Sequence, residues 1–458
     1  MTYTLDFNSI QNFVTDKNDK YSFERKKYVR VLPLPSRTGD RAGYKGGFSA
    51  ITAALLRLID NETLEFTTAD NVLNSILDGG EYDSAESKAV FEEFLMYELR
   101  NEDTNNVSSF QNLKYIALPE EKAEYKGQMQ IIQFFYDIYI RDQQDEIQNI
   151  LSELQPEGLM YDILNVEIPK VQNSLKQKFP VIFKQYQETF LEDIKALVKN
   201  PGFMVEHIDD LFIHYTFIAM TQIIFQLNKF SNFDEIKLHS LPFLMNQEKA
   251  SKWRLGYKEG FLRVRDQILN FYTHEHLLNI LALNTFTTDE NLYYHDYKKI
   301  LSKVGRDAEI EYIESLYKWI NEVFNRYHGL GELEAYNGQD IDTAYRYMFE
   351  KIRSKISAEI FSRYALAYTA FISKFYRKNG GSLGTILALN LKQLLLLTAV
   401  AVGNKPRIEL NQLWIEFDKR GVKVDDDTKQ EIMELLDRLN YLDKKSDSGD
   451  AQYVKSIL

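Results

Sequence analysis

The chain contains no cysteine. That absence excludes disulfides, thiolate metal sites and a cysteine nucleophile, and it suits a reducing cytoplasm. Proline is scarce as well, nine in 458 residues, while tyrosine and phenylalanine number 29 each. Few helix breakers and many large apolar side chains favour long helices over a turn-rich sandwich. Basic charge is in deficit: 55 Lys and Arg face 67 Asp and Glu, a formal net charge of −12. So acidic a chain is a poor general binder of nucleic acid, where counterion release rewards a cationic surface. Any DNA contact must come from a local patch or from a partner subunit. The opening MTYTLDFNSIQNF lacks the basic start and apolar core of a secretion signal.

Hydrophobic runs long enough for a membrane are also wanting. The best candidate, LGTILALNLKQLLLLTAVAV from Leu383 to Val402, carries Asn390, Lys392 and Gln393 at its centre. A central lysine alone costs roughly 2.5–3.5 kcal/mol on insertion scales. The run therefore reads as a helix buried in a soluble core, with no membrane contact.

What is present is helical periodicity. The fold expected is mainly α, a multi-helical body with a C-terminal winged-helix-like module. Residues 1–48 read as an irregular basic segment, with nine basic against four acidic residues from Asp16 to Lys45. Residues 49–404 read as the helical body, with a possible subdivision near 230–245. A helix begins at Ser49, an apt N-cap, with Ile51, Leu55, Leu56 and Ile59 on one face. Asp342 to Lys378 reads as one long helix or two stacked ones, striped by Ala344, Met348, Ile352, Ile356 and Ile360 and ended by KNGGS. Residues 405–458 form the terminal module: two short helices, then extended arms around SDSGD that bring Leu442, Tyr453 and Val454 inward. A helical pair with a loose tail is the competing reading of this end.

Motifs for chemistry fail one by one. GDRAGYKGGF, Gly39 to Phe48, resembles a phosphate loop, but Lys45 is followed by Gly46 and Gly47 where Ser or Thr is needed. What survives is a basic loop bearing Arg37, Arg41 and Lys45, able to meet phosphate or an acidic partner, or simply to lie solvated over Leu32 and Leu34. His207, Asp210 and His214 fall on one helical face at a ligand-compatible spacing, without a third distal ligand; structural histidines are expected and no metal. DEIK, Asp234 to Lys237, fits half of a nuclease motif but lacks the strands that such a site needs. No Rossmann glycine fingerprint or nucleophile elbow is present. No cofactor or catalytic residue is assigned.

Two cationic stretches stand out. Between Tyr345 and Lys378, Arg346, Lys351, Arg353, Lys355, Arg363, Lys374, Arg377 and Lys378 face only two acids. Lys351 shares a helical face with Lys355, and Lys374 with Lys378, while six aromatics interleave. Such stripes suit phosphate contact with some stacking, or a solvated face over core aromatics. Lys249 to Arg265, KASKWRLGYKEGFLRVR, is the second; its Trp253 and Tyr257, four apart, read as a buried core pair, with a binding platform as the alternative. The terminal module reads the other way. Asp425, Asp426, Asp427, Glu431 and Glu434 load its second helix, and Asp447 and Asp450 its turn. A helix so acidic repels DNA, so these residues are candidates for docking a protein.

RKNGGSLGTILALNLKQLLLLTAVAV, followed by LWIEFDKRGVKVDDDTKQEIMELLDRLNYLDKKSDSGDAQYVKSIL, resembles the end of the DptG family of bacterial DNA phosphorothioation-dependent restriction proteins. The resemblance implies a non-catalytic subunit of an antiphage complex that attacks DNA lacking the sulfur-modified backbone. Its implied partners are DptF- and DptH-like subunits of ATPase or helicase type, with DNA engaged through the complex. Two other readings remain: a metal-dependent nuclease with a divergent site, and a free-standing winged-helix regulator, which the acidic helix disfavours.

Overall fold

The computed structural model describes residues 2–11, 14–17, 20–23, 29–35, 37–64, 69–100, 110–154, 168–171, 175–181, 183–233, 238–289, 292–331, 335–444 and 452–458. Helix dominates. The chain opens with α1 (Phe7–Gln11) and the antiparallel pair β1 (Val14–Lys17) and β2 (Lys20–Phe23). Next come α2 (Ser49–Ile59), α3 (Ala69–Gly79), α4 (Ala85–Arg100), α5 (Lys122–Phe135), α6 (Gln144–Leu151), α7 (Lys184–Leu197) and α8 (Pro201–Leu227). After β3 (Leu241–Pro242) and β4 (Leu244–Met245) follow α9 (Leu255–Lys258), α10 (Phe261–Ile268), α11 (Phe271–Leu281), α12 (Tyr294–Val304), α13 (Arg306–Trp319), α14 (Ile341–Ser354) and α15 (Ala358–Phe375). The final part is β5 (Arg377–Asn379), β6 (Thr385–Leu389), α16 (Leu391–Val402), β7 (Arg407–Glu409), α17 (Leu410–Lys419), β8 (Val422–Lys423), α18 (Asp426–Arg438), β9 (Leu442–Lys444) and β10 (Gln452–Lys455).

The axis of the body is α8. Asn200 caps it by accepting from the Phe203 N–H at 3.1 Å, and Pro201 occupies its first turn, where no N–H is needed. Every residue from Leu211 to Leu227 is buried. A helix apolar on all sides must be enclosed, and α2, α7, α10, α11 and α16 enclose it. Its polar side chains are satisfied locally: Thr216 and Thr221 donate to carbonyls one turn back, and Gln222 exchanges two hydrogen bonds with His239. Among the described residues it is the one helix long and apolar enough to cross a membrane, and 89% of its apolar window lies inside the protein.

Both ends of the chain join this core. Leu5 and Val29 donate backbone hydrogen bonds to Ser315 and Asn279, and Val31, Leu32, Leu34 and Phe48 are buried. At the other end β8 lies parallel to β3, pairing Val422 with Leu241. Arg420, fully buried, forks onto Asp193 at 2.5 and 3.0 Å and also meets Glu416. Gly421 follows with φ +74°, and a Cβ there would stand 2.5 Å from Ile218 Cδ1 on α8. Only glycine permits this approach.

Three boundaries differ from the sequence reading. Ser49 is the first helical residue rather than the cap, and its hydroxyl donates to Asp209 at 2.7 Å instead. The run from Leu383 to Val402 is not one helix: β6 ends at Leu389, and Asn390 and Gln393 form a capping box that starts α16. KNGGS is not a helix cap either, because α15 stops at Phe375 and Arg377–Asn379 pair with β6 as an antiparallel hairpin. The SDSGD turn lies outside the described residues. The arms flanking it pair as expected, Val454 opposite Leu442, with both buried.

Candidate nucleic-acid interface

Residues 345–378 divide between two helices and a strand, and the division decides what each cation can do. The interleaved aromatics are mostly core, with Tyr345, Tyr364, Tyr368 and Tyr376 buried and Tyr347 and Phe361 half-buried. Cations on α14 are engaged within the protein. Arg346 pairs with Asp342 at 2.7 Å and lies 4.6 Å over the Phe230 ring. Lys351 lies 5.1 Å over Tyr347, and Arg353 donates to Asn270 Oδ1 while resting 4.7 Å over Phe361. Lys355 caps α14 and Lys378 belongs to β5, so neither shares a helical stripe with Lys351 or Lys374. The proposed stripes are therefore broken by helix ends at Ser354 and Phe375. The exposed cations are Arg346, Lys355, Arg363, Lys374 and Arg377, of which Arg346 pairs with Asp342 and Arg363 with Glu359.

The basic loop of residues 37–48 lands on the same helix. Arg41 donates to the Arg363 carbonyl at 2.9 Å, and Tyr44 and Phe48 set their rings edge-on against Phe371 and Phe375. Glu124 accepts from the N–H groups of Gly43 and Tyr44 at 2.6 and 3.2 Å. Those are the donors a phosphate loop reserves for its ligand; here a carboxylate occupies them. Lys45 is exposed but pairs with Glu121 at 2.7 Å, and Arg37 is exposed.

The second cationic stretch holds the feature that periodicity missed. Trp253 is 90% exposed, not core. The four-residue spacing to Tyr257 misled because α9 begins only at Leu255, leaving Trp253 in the preceding turn. Lys249, Lys252 and Lys258 are exposed around it. Arg254, its neighbour, is clamped: Asp425 and Glu248 each accept at 2.7 Å, Thr428 accepts at 2.7 Å, and Asp427 stands at 3.4 Å. Sheet pairing brings β5 here through β6, which lies beside β4. Lys378 reaches across to donate to the carbonyls of Met245 and Asn246. Burial pushes its ammonium pKa down, with Glu248 opposing and Arg254 adding to the fall. Two cationic stretches about eighty residues apart in the chain thus meet at one sheet.

The acidic candidates divide similarly. Asp425 caps α18, accepting from the Thr428 N–H at 3.0 Å, and pairs with Arg254 of the body. Glu431 accepts from Gln247 at 2.9 Å. Asp426 and Asp427 are exposed at the helix start and Glu434 on its flank, where Gln430 donates to it. Asp447 and Asp450 lie outside the described residues, as does DEIK.

The histidine face of α8 is occupied by protein contacts. His207 stacks on Phe203 with ring centroids 4.0 Å apart, and Asp210 stands 3.9 Å from it. His214 Nε2 meets the Arg420 carbonyl at 2.8 Å and its Nδ1 faces the Tyr376 hydroxyl at 3.4 Å. Burial holds both histidines down at about 4 and lifts Asp210 to about 7, the latter helped by the Asp209 charge. Among the described residues, no group of three or more His, Asp or Glu is placed to hold a metal. Comparison with known proteins adds no relative: no protein-family model matches the chain, and no curated protein matches it.

Proposed function

We propose that this chain is a non-catalytic subunit of a DNA phosphorothioation-dependent restriction complex in the bacterial cytoplasm, supplying assembly and DNA engagement beside DptF- and DptH-like ATPase or helicase partners. The C-terminal resemblance motivates the system. The observation that carries DNA engagement is the junction at β4, β6 and β5, where Lys249, Lys252, Lys258, Lys374 and Arg377 face solvent on a chain of net charge −12. Phosphate neutralisation needs such local concentration when the whole molecule is acidic.

The terminal segment serves assembly. The strand–helix–strand–helix–hairpin order, with a β7-β10-β9 sheet, supports a winged-helix form. The acids at the start of α18 answer Arg254 of the body, and Glu434 and Asp437 leave a second acidic face toward solvent for a partner.

The test uses purified chain and fluorescent duplex DNA across a salt series. Reversing Lys374 and Arg377 to Glu together should weaken binding and lower the salt slope by about 2, near one for each lost phosphate contact. An unchanged slope would remove the junction from the interface. Cleavage of unmodified DNA by the chain alone with a divalent metal would replace the scaffold by a nuclease.

A further inference from the structure

We infer that Trp253 is a stacking platform for an unpaired nucleotide, so that the junction takes single-stranded nucleic acid; this rests on the DNA-engagement reading above. A tryptophan left 90% exposed forgoes one of the largest burial gains a side chain can make. The other two behave ordinarily, Trp319 fully buried and Trp414 half-buried. Exposure here is not fraying. The turn before it is closed by the Glu248 N–H on the Met245 carbonyl at 3.1 Å and a return bond from the Met245 N–H at 2.5 Å. Backbone bonds from Arg254 to Ser251 and from Tyr257 to Arg254, both 3.2 Å, close the turns on either side of the Arg254 clamp. The backbone on both sides of the indole is thus hydrogen-bonded.

Its surroundings select the ligand. Lys249, Lys252 and Lys258 present three cations within five residues on either side; Glu248 is consumed by Arg254, while Glu259 in the same stretch and Asp427, 3.4 Å from Arg254, are exposed acids beside them. Cations that track a phosphate backbone beside an open aromatic face are the two components of single-strand binding. Within a duplex the bases are already stacked on one another, so the indole face gains little there without unstacking a step. A lipid surface would want further exposed apolar groups beside the tryptophan, whereas Ser251, Lys252 and Arg254 flank it.

The experiment titrates the full chain with labelled oligothymidylate and with a blunt duplex of equal length at low salt. Trp253→Ala should weaken oligothymidylate binding by about 5- to 150-fold, the loss typical of one stacked base, and leave duplex binding within about twofold. Intrinsic fluorescence should be quenched by the oligonucleotide in wild type and far less in W253A, and Trp253→Phe should restore most of the affinity. An unchanged thermal midpoint in W253A confirms the fold. Equal losses on both DNAs, or no loss on either, would overturn the inference while DNA binding itself stood. Binding of neither DNA by wild type would defeat the underlying reading as well. Quenching by anionic phosphatidylserine vesicles but not by oligothymidylate would overturn it in favour of a lipid.

Discussion

Arg420 shows what one residue does for this molecule. Burial opposes its charge, yet the Asp193 carboxylate, which accepts two hydrogen bonds from Arg420, outweighs that penalty and holds the guanidinium ionised. Asp193 also accepts from Tyr215 at 2.6 Å. Asp193→Ala would leave the buried cation with Glu416 as its remaining carboxylate, and a loss of about 3 kcal/mol is expected in denaturant unfolding. Buried histidines set the pH response. His207 and His214 are held at about 4 and His274 at about 3, each first by desolvation. The unfolded chain therefore takes up protons near pH 6.5 that the folded one refuses. Stability is full above that pH and falls as pH drops toward 4. Asp210 opposes this, since its raised pKa favours the protonated folded form and its contribution fades between about 4 and 7 as pH rises. With His328 also lowered by desolvation, and Asp209 raised by it like Asp210, four groups against two predict a thermal midpoint that declines from pH 6.5 to 4, less steeply in His274→Phe. A flat profile in wild type would contradict this.

Elements were legible where apolar spacing was strong and capping was conventional. Ser49–Ile59 and the Ala344, Met348 and Ile352 stripe lie where periodicity put them, with these stripe residues buried. Errors gathered at ends. Asn390 and Gln393 looked like polar intrusions into a long apolar helix, yet their three-residue spacing is that of a capping box. The glycines after Asn379 suited a C-cap as well as a hairpin, and only the pairing of Arg377 with Leu387 decides. Asn390→Ala should cost about 1 kcal/mol through the lost cap, read as a lower unfolding midpoint. Gly421→Ala should cost about 1–3 kcal/mol, because an added methyl meets Ile218 and the positive φ resists it. Exposure of Trp253 could not be read from spacing, since it depends on where α9 starts.

At the scale of the whole molecule, one continuous apolar cluster runs from Leu5 to Val454. The basic opening and acidic ending, distinct in composition, are both held by it. Sequence could not show this, because the contacts that bind the ends, Val422 to Leu241 and Leu5 to Ser315, join residues 181 and 310 positions apart. The C-terminal segment should therefore unfold with the body. Variants retaining only Trp319 or only Trp414 should report coincident urea transitions, and separated midpoints would show an independent module.

The clamp on Arg254 has a mechanical meaning. Trp253 projects from the body, but the next residue is bolted to Asp425, Asp427 and Thr428 at the head of α18. Tension applied to the indole passes through one peptide bond into the head of that helix. The tip and the terminal helix form a single load path, in which pulling at one end is felt at the other.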